Sequence, residues 1–262
     1  MSTQGYLTSS DIRHSWMRGP SGEILPVTYA NVDGWAVFEG CVILGKTTEM
    51  QMVAEKIAKF PDILGQPGLL GLVIADPNQK WPKVGGFYEV AYEIAPDLPN
   101  AARVTEAFAH WEQKTGIRFK PRGNALSWVT VVKGGGCMSQ IGRQVGQQRI
   151  WLADNCTAGN AIHEIGHTVG LWHEHSRPDR DNFLEVLWPN IRTDAVMNFQ
   201  VQSYNQKMVG PYDFGSIMHY PDWAFSTNQQ PTLRPKQNPA PPFGQRDGLS
   251  PGDIAAVASL YP

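Results

Sequence analysis

The chain has 262 residues, of which 42% are hydrophobic and 18% charged, with a formal net charge of -2 at pH 7. That is enough chain for one large core, or for a domain with an extension. Near-neutrality removes the electrostatic case for nucleic acid or an anionic membrane as partner, and no apolar run reaches the ~20 residues of a membrane span.

Residues 1–20 carry no signal-peptide core, and Met1-Ser2-Thr3-Gln4-Gly5 reads as a start from which a leader has been removed. Residues 1–70 look turn-rich, with Gly19-Pro20-Ser21-Gly22 and one short apolar stretch. From Thr47 to Phe60, Met50, Val53, Ile57 and Phe60 recur at helical spacing, and Pro61 ends the helix. The Gly/Pro-punctuated run from Leu64 to Gly71 reads as an exposed linker and a cleavage zone, which puts a boundary near residue 71. Gly86 to Ile94 then alternates as a strand does. Leu98 to Lys114 reads as a helix with Val104, Ala107, Phe108 and Trp111 on one face. Strands are expected at Ile117–Lys120, Trp128–Val132 and Arg149–Leu152, with a break at Gly134-Gly135-Gly136. Loops dominate from Pro178 to Pro242, and the Pro-rich residues 231–242 are expected to form an ordered surface loop. Ser250, Pro251 and Asp253 have the N-cap, first-position and first-turn chemistry of a helix start. Its apolar residues should close the lower half of the molecule. The class is α+β, a twisted sheet backed by helices.

The chemistry lies in Ala161 to Glu174. His163 and His167 are four apart, one turn above each other on a helix, and both can grip one metal ion while Glu164 projects beside it. Gly170 permits a left-handed exit that would bring His173 back as a third ligand. The pattern is H-E-x-x-H-x-x-G-x-x-H, with a chance frequency on the order of 10⁻⁵ in a chain of this length. Three neutral imidazoles bind one zinc ion and leave a fourth position for water. Zinc lowers the pKa of that water toward ~7 and polarises a substrate carbonyl. Glu164 is placed to act as general base and then to carry the proton to the leaving amine. Of the three cysteines, Cys137 and Cys156 flank an expected strand pair and suit a disulfide in an oxidising compartment. Cys41 is left over, either as an idle thiol or as a thiolate ligand.

A second run, Tyr212-Asp213-Phe214-Gly215-Ser216-Ile217-Met218-His219-Tyr220, contains a methionine in a tight turn. Together with His163–Glu174, His175–Asn182, Gly136-Cys137 and Cys156, it resembles the astacin family of metzincin zinc metalloendopeptidases over roughly residues 75–262. The resemblance implies a two-lobed catalytic domain at 72–262. Its N-terminal lobe, 72–170, would hold a mostly parallel sheet above the site helix, and its C-terminal lobe, 171–262, would be irregular with a closing helix. Met218 would lie beneath the zinc. Tyr220 would be a movable fifth ligand that swings away to stabilise the oxyanion, and Glu174 would meet the new N-terminus of the mature chain. Most members have four catalytic-domain cysteines; here there are two.

Residues 1–71 would then be an inhibitory propeptide. Propeptides of the family carry F-x-G-D, whose aspartate ligates zinc; this chain reads Phe38-Glu39-Gly40-Cys41. A thiolate is a strong zinc ligand, so Cys41 is expected to block the metal until proteolysis, as in a bacterial, elastin-degrading member of the family. The expected protein is a secreted, monomeric, extracellular zymogen acting on protein and peptide substrates, extending to matrix proteins such as elastin, with no nucleic-acid or membrane partner. The alternatives are a metzincin of another family and a non-catalytic, zinc-containing binding module.

Overall fold

The computed structural model describes residues 5–18, 24–61, 64, 80–201 and 208–262. The turn expected at Gly19–Gly22, all but Leu64 of the linker to Gly71, and the boundary near residue 71 lie outside the described residues.

The N-terminal region is richer in strand than its sequence suggests. Strands β1 (Ile12–Arg18), β2 (Ile24–Val32), β3 (Trp35–Phe38) and β4 (Val42–Lys46) form an antiparallel meander. Asp33 and Gly34 join β2 to β3 with φ of 49° and 82°, the left-handed pair that a two-residue hairpin turn demands. Helix α1 (Thr47–Lys59) follows and buries Met50, Val53 and Ile57 as its spacing predicts.

Next come β5 (Lys83–Val84), β6 (Phe87–Ile94), α2 (Ala102–Lys114), β7 (Ile117–Pro121), β8 (Ser127–Lys133), β9 (Met138–Gln140), β10 (Gly146–Leu152) and the site helix α3 (Ala158–Thr168). Strands β10, β8, β6 and β7 pair in parallel with one another, while β9 pairs antiparallel with β10 and β5 with β6. Strand β9 would be the exposed edge of this lobe. It is covered, because β4 pairs with it in parallel, Val42 opposite Ser139 and Ile43 opposite Gln140. The meander and the lobe therefore form one sheet. Such an edge invites strand addition, and the chain's own N-terminal segment supplies the strand.

Beyond α3 the chain is largely loops and short 3-10 turns. The Pro-rich stretch holds one element that its sequence does not suggest: β12 (Leu233–Pro235) pairs antiparallel with β11 (Leu184–Val186). The last helix, α4 (Pro251–Leu260), begins as its capping residues predict, with Ser250 Oγ accepting from Asp253 N and Asp253 reaching back to Ser250 N. Val257 and Tyr261 join the core made by α2, α3 and the parallel strands, which also takes in Ile217 and Met218, and Asp253 accepts from Ser216 Oγ and Ile217 N, so the helix packs against both halves. The Tyr261 ring lies 4.8 Å from that of Tyr88, and its hydroxyl donates to the Val169 carbonyl, so the upper lobe offers both an aromatic surface and an acceptor.

Candidate metal centre and active site

Helix α3 is anchored before it carries any chemistry. Thr157 caps it, accepting from Asn160 N while the Asn160 side chain accepts from Thr157 N. Trp111 and Trp81 donate their indole N–H groups to the carbonyls of Ile162 and Thr168. Arg103, buried on α2, donates to the carbonyls of Ala153 and Cys156 in the approach to the helix, and the Cys137–Cys156 disulfide ties the same approach to β9. At the C-terminus, Gly170 stands at φ 100°. Its N–H bonds the His167 carbonyl while Leu171 N–H bonds that of Gly166, the paired pattern of a Schellman cap. That cap reverses the chain and delivers His173.

The three histidines are buried, each at 1% exposure or less. Each Nδ1–H has an acceptor: the Ile217 carbonyl for His163 at 2.8 Å, the Leu171 carbonyl for His167 at 2.8 Å, and Glu39 Oε2 for His173 at 2.7 Å. The Nε2 lone pairs are left to converge on one point. Burial also holds all three imidazoles well below their usual pKa, with His167 near about 4, which is the neutral state that a metal requires.

Cys41 completes the group. Its Sγ lies 3.6, 3.3 and 3.2 Å from Nε2 of His163, His167 and His173, and the four donor atoms fall within 4.8 Å of one another. A tetrahedron with Zn–S about 2.3 Å and Zn–N about 2.05 Å has S···N edges of about 3.6 Å. The three separations sit at or slightly inside that edge, so the residues fit a zinc ion. Without a cation, burial and the nearby Glu164 push the Cys41 thiol up, so metal binding there must release a proton.

Glu164 is 1% exposed, its Oε2 finds no partner among the described residues, and burial raises its pKa well above the ordinary carboxylate range. A buried, unpaired carboxylate oxygen beside three converging imidazoles is costly for folding alone. Met218 lies under the helix: a Cβ on Gly166 would come within 2.5 Å of its Sδ. Glu174 accepts from Asp213 N and from Arg177, and burial raises its carboxyl to about 7. Tyr220 is fully buried, stacked on His175 with ring centroids 3.6 Å apart. Its hydroxyl donates to the Glu39 carbonyl at 2.5 Å, so in this form the N-terminal segment engages it.

Three residues of the site are not singled out by sequence reasoning. Glu39 fills the variable position of Phe38-Glu39-Gly40-Cys41, so the motif assigns it no role. Tyr6 packs 4.7 Å from the Tyr220 ring and 5.7 Å from Phe225. Its hydroxyl accepts from Arg246, whose guanidinium also donates to the carbonyls of Ile217 and His219. Its place inside the F-x-G-D-like motif is a signal that could have flagged Glu39; no local pattern marks Tyr6 or Arg246.

The family model described as Astacin, a peptidase family, matches residues 73–262. The chain belongs to the astacin family. An astacin-like metalloendopeptidase from Mus musculus is 40% identical over 190 residues, covering 70% of this chain and 43% of that protein. Zinc metalloproteinase nas-6 from Caenorhabditis elegans is 39% identical over 207 residues, covering 77% of this chain and 60% of that protein. The chain thus spans less than two thirds of the length of these relatives. Among solved structures, high choriolytic enzyme 1, a hatching enzyme zinc-protease from Oryzias latipes (medaka fish), superposes with a TM-score of 0.67 at 33% identity, covering 71% of this chain and 96% of that one. The structure of myroilysin is a more distant neighbour, 22% identical with a TM-score of 0.47, covering 70% of this chain and 96% of that one. Astacins are zinc-dependent, and the Cys/His group fits that metal. No described helix is long and apolar enough to cross a membrane.

Proposed function

We propose that this chain is the latent precursor of a secreted zinc endopeptidase, with residues 1–71 as its inhibitory propeptide and 72–262 as its catalytic domain. The observation that carries the reading is the position of Cys41: the sulfur stands 3.2–3.6 Å from all three Nε2 atoms, where a substrate or water would have to enter. When bound, zinc supplies Lewis acidity toward a substrate carbonyl and acidifies a water. His163, His167 and His173 hold it. Glu164 takes the proton of the attacking water and gives it to the departing amine. Tyr220 leaves the Glu39 carbonyl when the propeptide departs, and its hydroxyl becomes free to meet the developing oxyanion. Arg246 loses Tyr6 at the same time and becomes a cation facing the emptied cleft. Strand β9, uncovered, takes an extended substrate by strand addition.

The test compares the full chain with the chain trimmed near residue 71, each assayed on casein and on a quenched fluorescent peptide. The full chain should be nearly inactive and the trimmed chain active, with activity abolished by 1,10-phenanthroline and restored by zinc. Glu164→Gln in the trimmed chain should retain zinc and lose activity by about 10²–10⁴-fold. Activity insensitive to the chelator, or a full chain as active as the trimmed one, would reject the reading.

A further inference from the structure

The supports of the three histidines do not come from the same part of the chain. His163 and His167 are held by the carbonyls of Ile217 and Leu171, both within the family-matched region. His173 is held by a carboxylate 134 residues upstream, Glu39 Oε2 at 2.7 Å, and both side chains are fully buried. We propose that Glu39 is a positioning residue of the latent metal site. Its carboxylate fixes the Nδ1–H tautomer and ring orientation of His173, so the N-terminal segment supplies both one ligand and the support of another.

The local backbone shows that a glutamate is here for this contact. Glu39 stands at φ 46° and Gly40 at φ 70°, in the turn between β3 and β4. Left-handed backbone favours Gly, Asn or Asp over a longer side chain. A glutamate in that conformation works against its own preference, and the turn by itself gives no reason for it. The reach of the carboxylate to His173 gives one. The turn is locked so that the reach is reproducible: the Glu39 carbonyl accepts from Tyr220 Oη and from Cys41 N, and a Cβ on Gly40 would come within 2.6 Å of the Phe225 ring. A carboxylate behind a ligating imidazole orients it and raises its basicity, and loss of such a partner typically costs 10- to 100-fold in metal affinity. Trimming therefore removes more than the thiolate; it also takes away the carboxylate behind His173.

The inference rests on the zinc reading of the Cys41 site but not on catalysis. It is tested in the full chain, with zinc affinity measured by competition against a chromogenic chelator and with cobalt(II) as a spectroscopic substitute. Glu39→Gln should weaken zinc binding by about 10-fold and Glu39→Ala by up to about 100-fold. The cobalt d–d bands should shift while the sulfur-to-cobalt charge-transfer absorption of Cys41 persists. A folded Glu39→Ala chain with wild-type zinc affinity and unshifted bands overturns the proposal. So does loss of the sulfur-to-cobalt absorption along with affinity, since Glu39 would then be placing Cys41 rather than His173. Where the alanine chain does not fold, the nearly isosteric Glu39→Gln decides on the same two readouts. A wild-type chain lacking sulfur-to-cobalt absorption would instead fail the Cys41 reading, and the zinc affinities would still judge Glu39.

Discussion

Gly40→Ala in the full chain should open the latent site without touching any metal ligand. Gly40 adopts φ 70°, which costs an alanine roughly 1–2 kcal/mol. Its new Cβ would also come within 2.6 Å of Phe225 Cζ. That ring lies among Tyr6, Phe199 and Tyr220, so displacing it adds about 1 kcal/mol at the low end of overpacking costs. The β3–β4 turn docks in the cleft, so the combined ~2–3 kcal/mol falls on the docked state. At 1.4 kcal/mol per tenfold, the undocked population rises by about 30- to 140-fold. The assay is the rate of zinc extraction by a chromogenic chelator, together with basal cleavage of a fluorescent peptide by the untrimmed chain. Gly34→Ala is the matched control: Gly34 has φ 82° with no atom within 4 Å of a new Cβ, and it lies in the β2–β3 turn. It should lower stability by a similar backbone term and leave zinc extraction unchanged. Equal extraction rates for Gly40→Ala and wild type, or equal increases for both glycine variants, would refute the claim that this turn is the latch.

Two further substitutions separate the roles of neighbouring residues. Gly166→Ala should lose up to about 2 kcal/mol net, the overlap with Met218 Sδ at 2.5 Å working against the ~1 kcal/mol gain in helix propensity; a melting temperature above wild type would show that Met218 is free to move aside. Tyr6→Ala removes a ring that is 6% exposed, together with its bond to Arg246. It should lower the full-chain melting temperature by several degrees while the Cys41 absorption of the cobalt form is retained, and loss of that absorption would mean that Tyr6 helps to place the thiol.

The site helix was legible because several independent local rules coincide in it. Helical spacing aligns His163 with His167, and Gly170 provides the left-handed exit. Each needs only a few residues of context, and both hold in the structure. The N-terminal meander was less legible. Asp33-Gly34 is a strong hairpin signal, yet the strand after it shows no alternation: Ala36, Val37 and Phe38 are all buried, because β3 is covered on both faces. A strand of that kind reads only as a short apolar run. Tyr6, Arg246 and the partner of Glu39 were illegible for another reason. The Tyr6–Arg246 bond spans 240 residues and the Glu39–His173 contact spans 134, and no window of sequence holds both partners. The same holds for α4, whose capping box is local but whose docking onto Tyr88 and Val169 is not.

The way the N-terminal segment is buried bears on how the proposed latency would end. Tyr6, Val37, Cys41 and Ile43 share one apolar cluster with Met138, Trp151, Phe199 and Tyr220 of the catalytic region, and β4 completes its sheet. A blocking peptide held only by its sulfur–metal bond would be released by oxidation or chelation alone. This one is also held by strand pairing, by the aromatic packing of Tyr6 and by a buried carboxylate on His173, so breaking the metal bond leaves those contacts in place. Cutting the chain acts differently: it turns an intramolecular contact into an intermolecular one and forfeits the effective concentration that kept the hairpin seated. On the proposed zymogen reading, proteolysis rather than thiol chemistry is the trigger that this packing calls for. Release of β4 would leave β9 with an open strand edge, the feature that an extended peptide needs in order to take the hairpin's place.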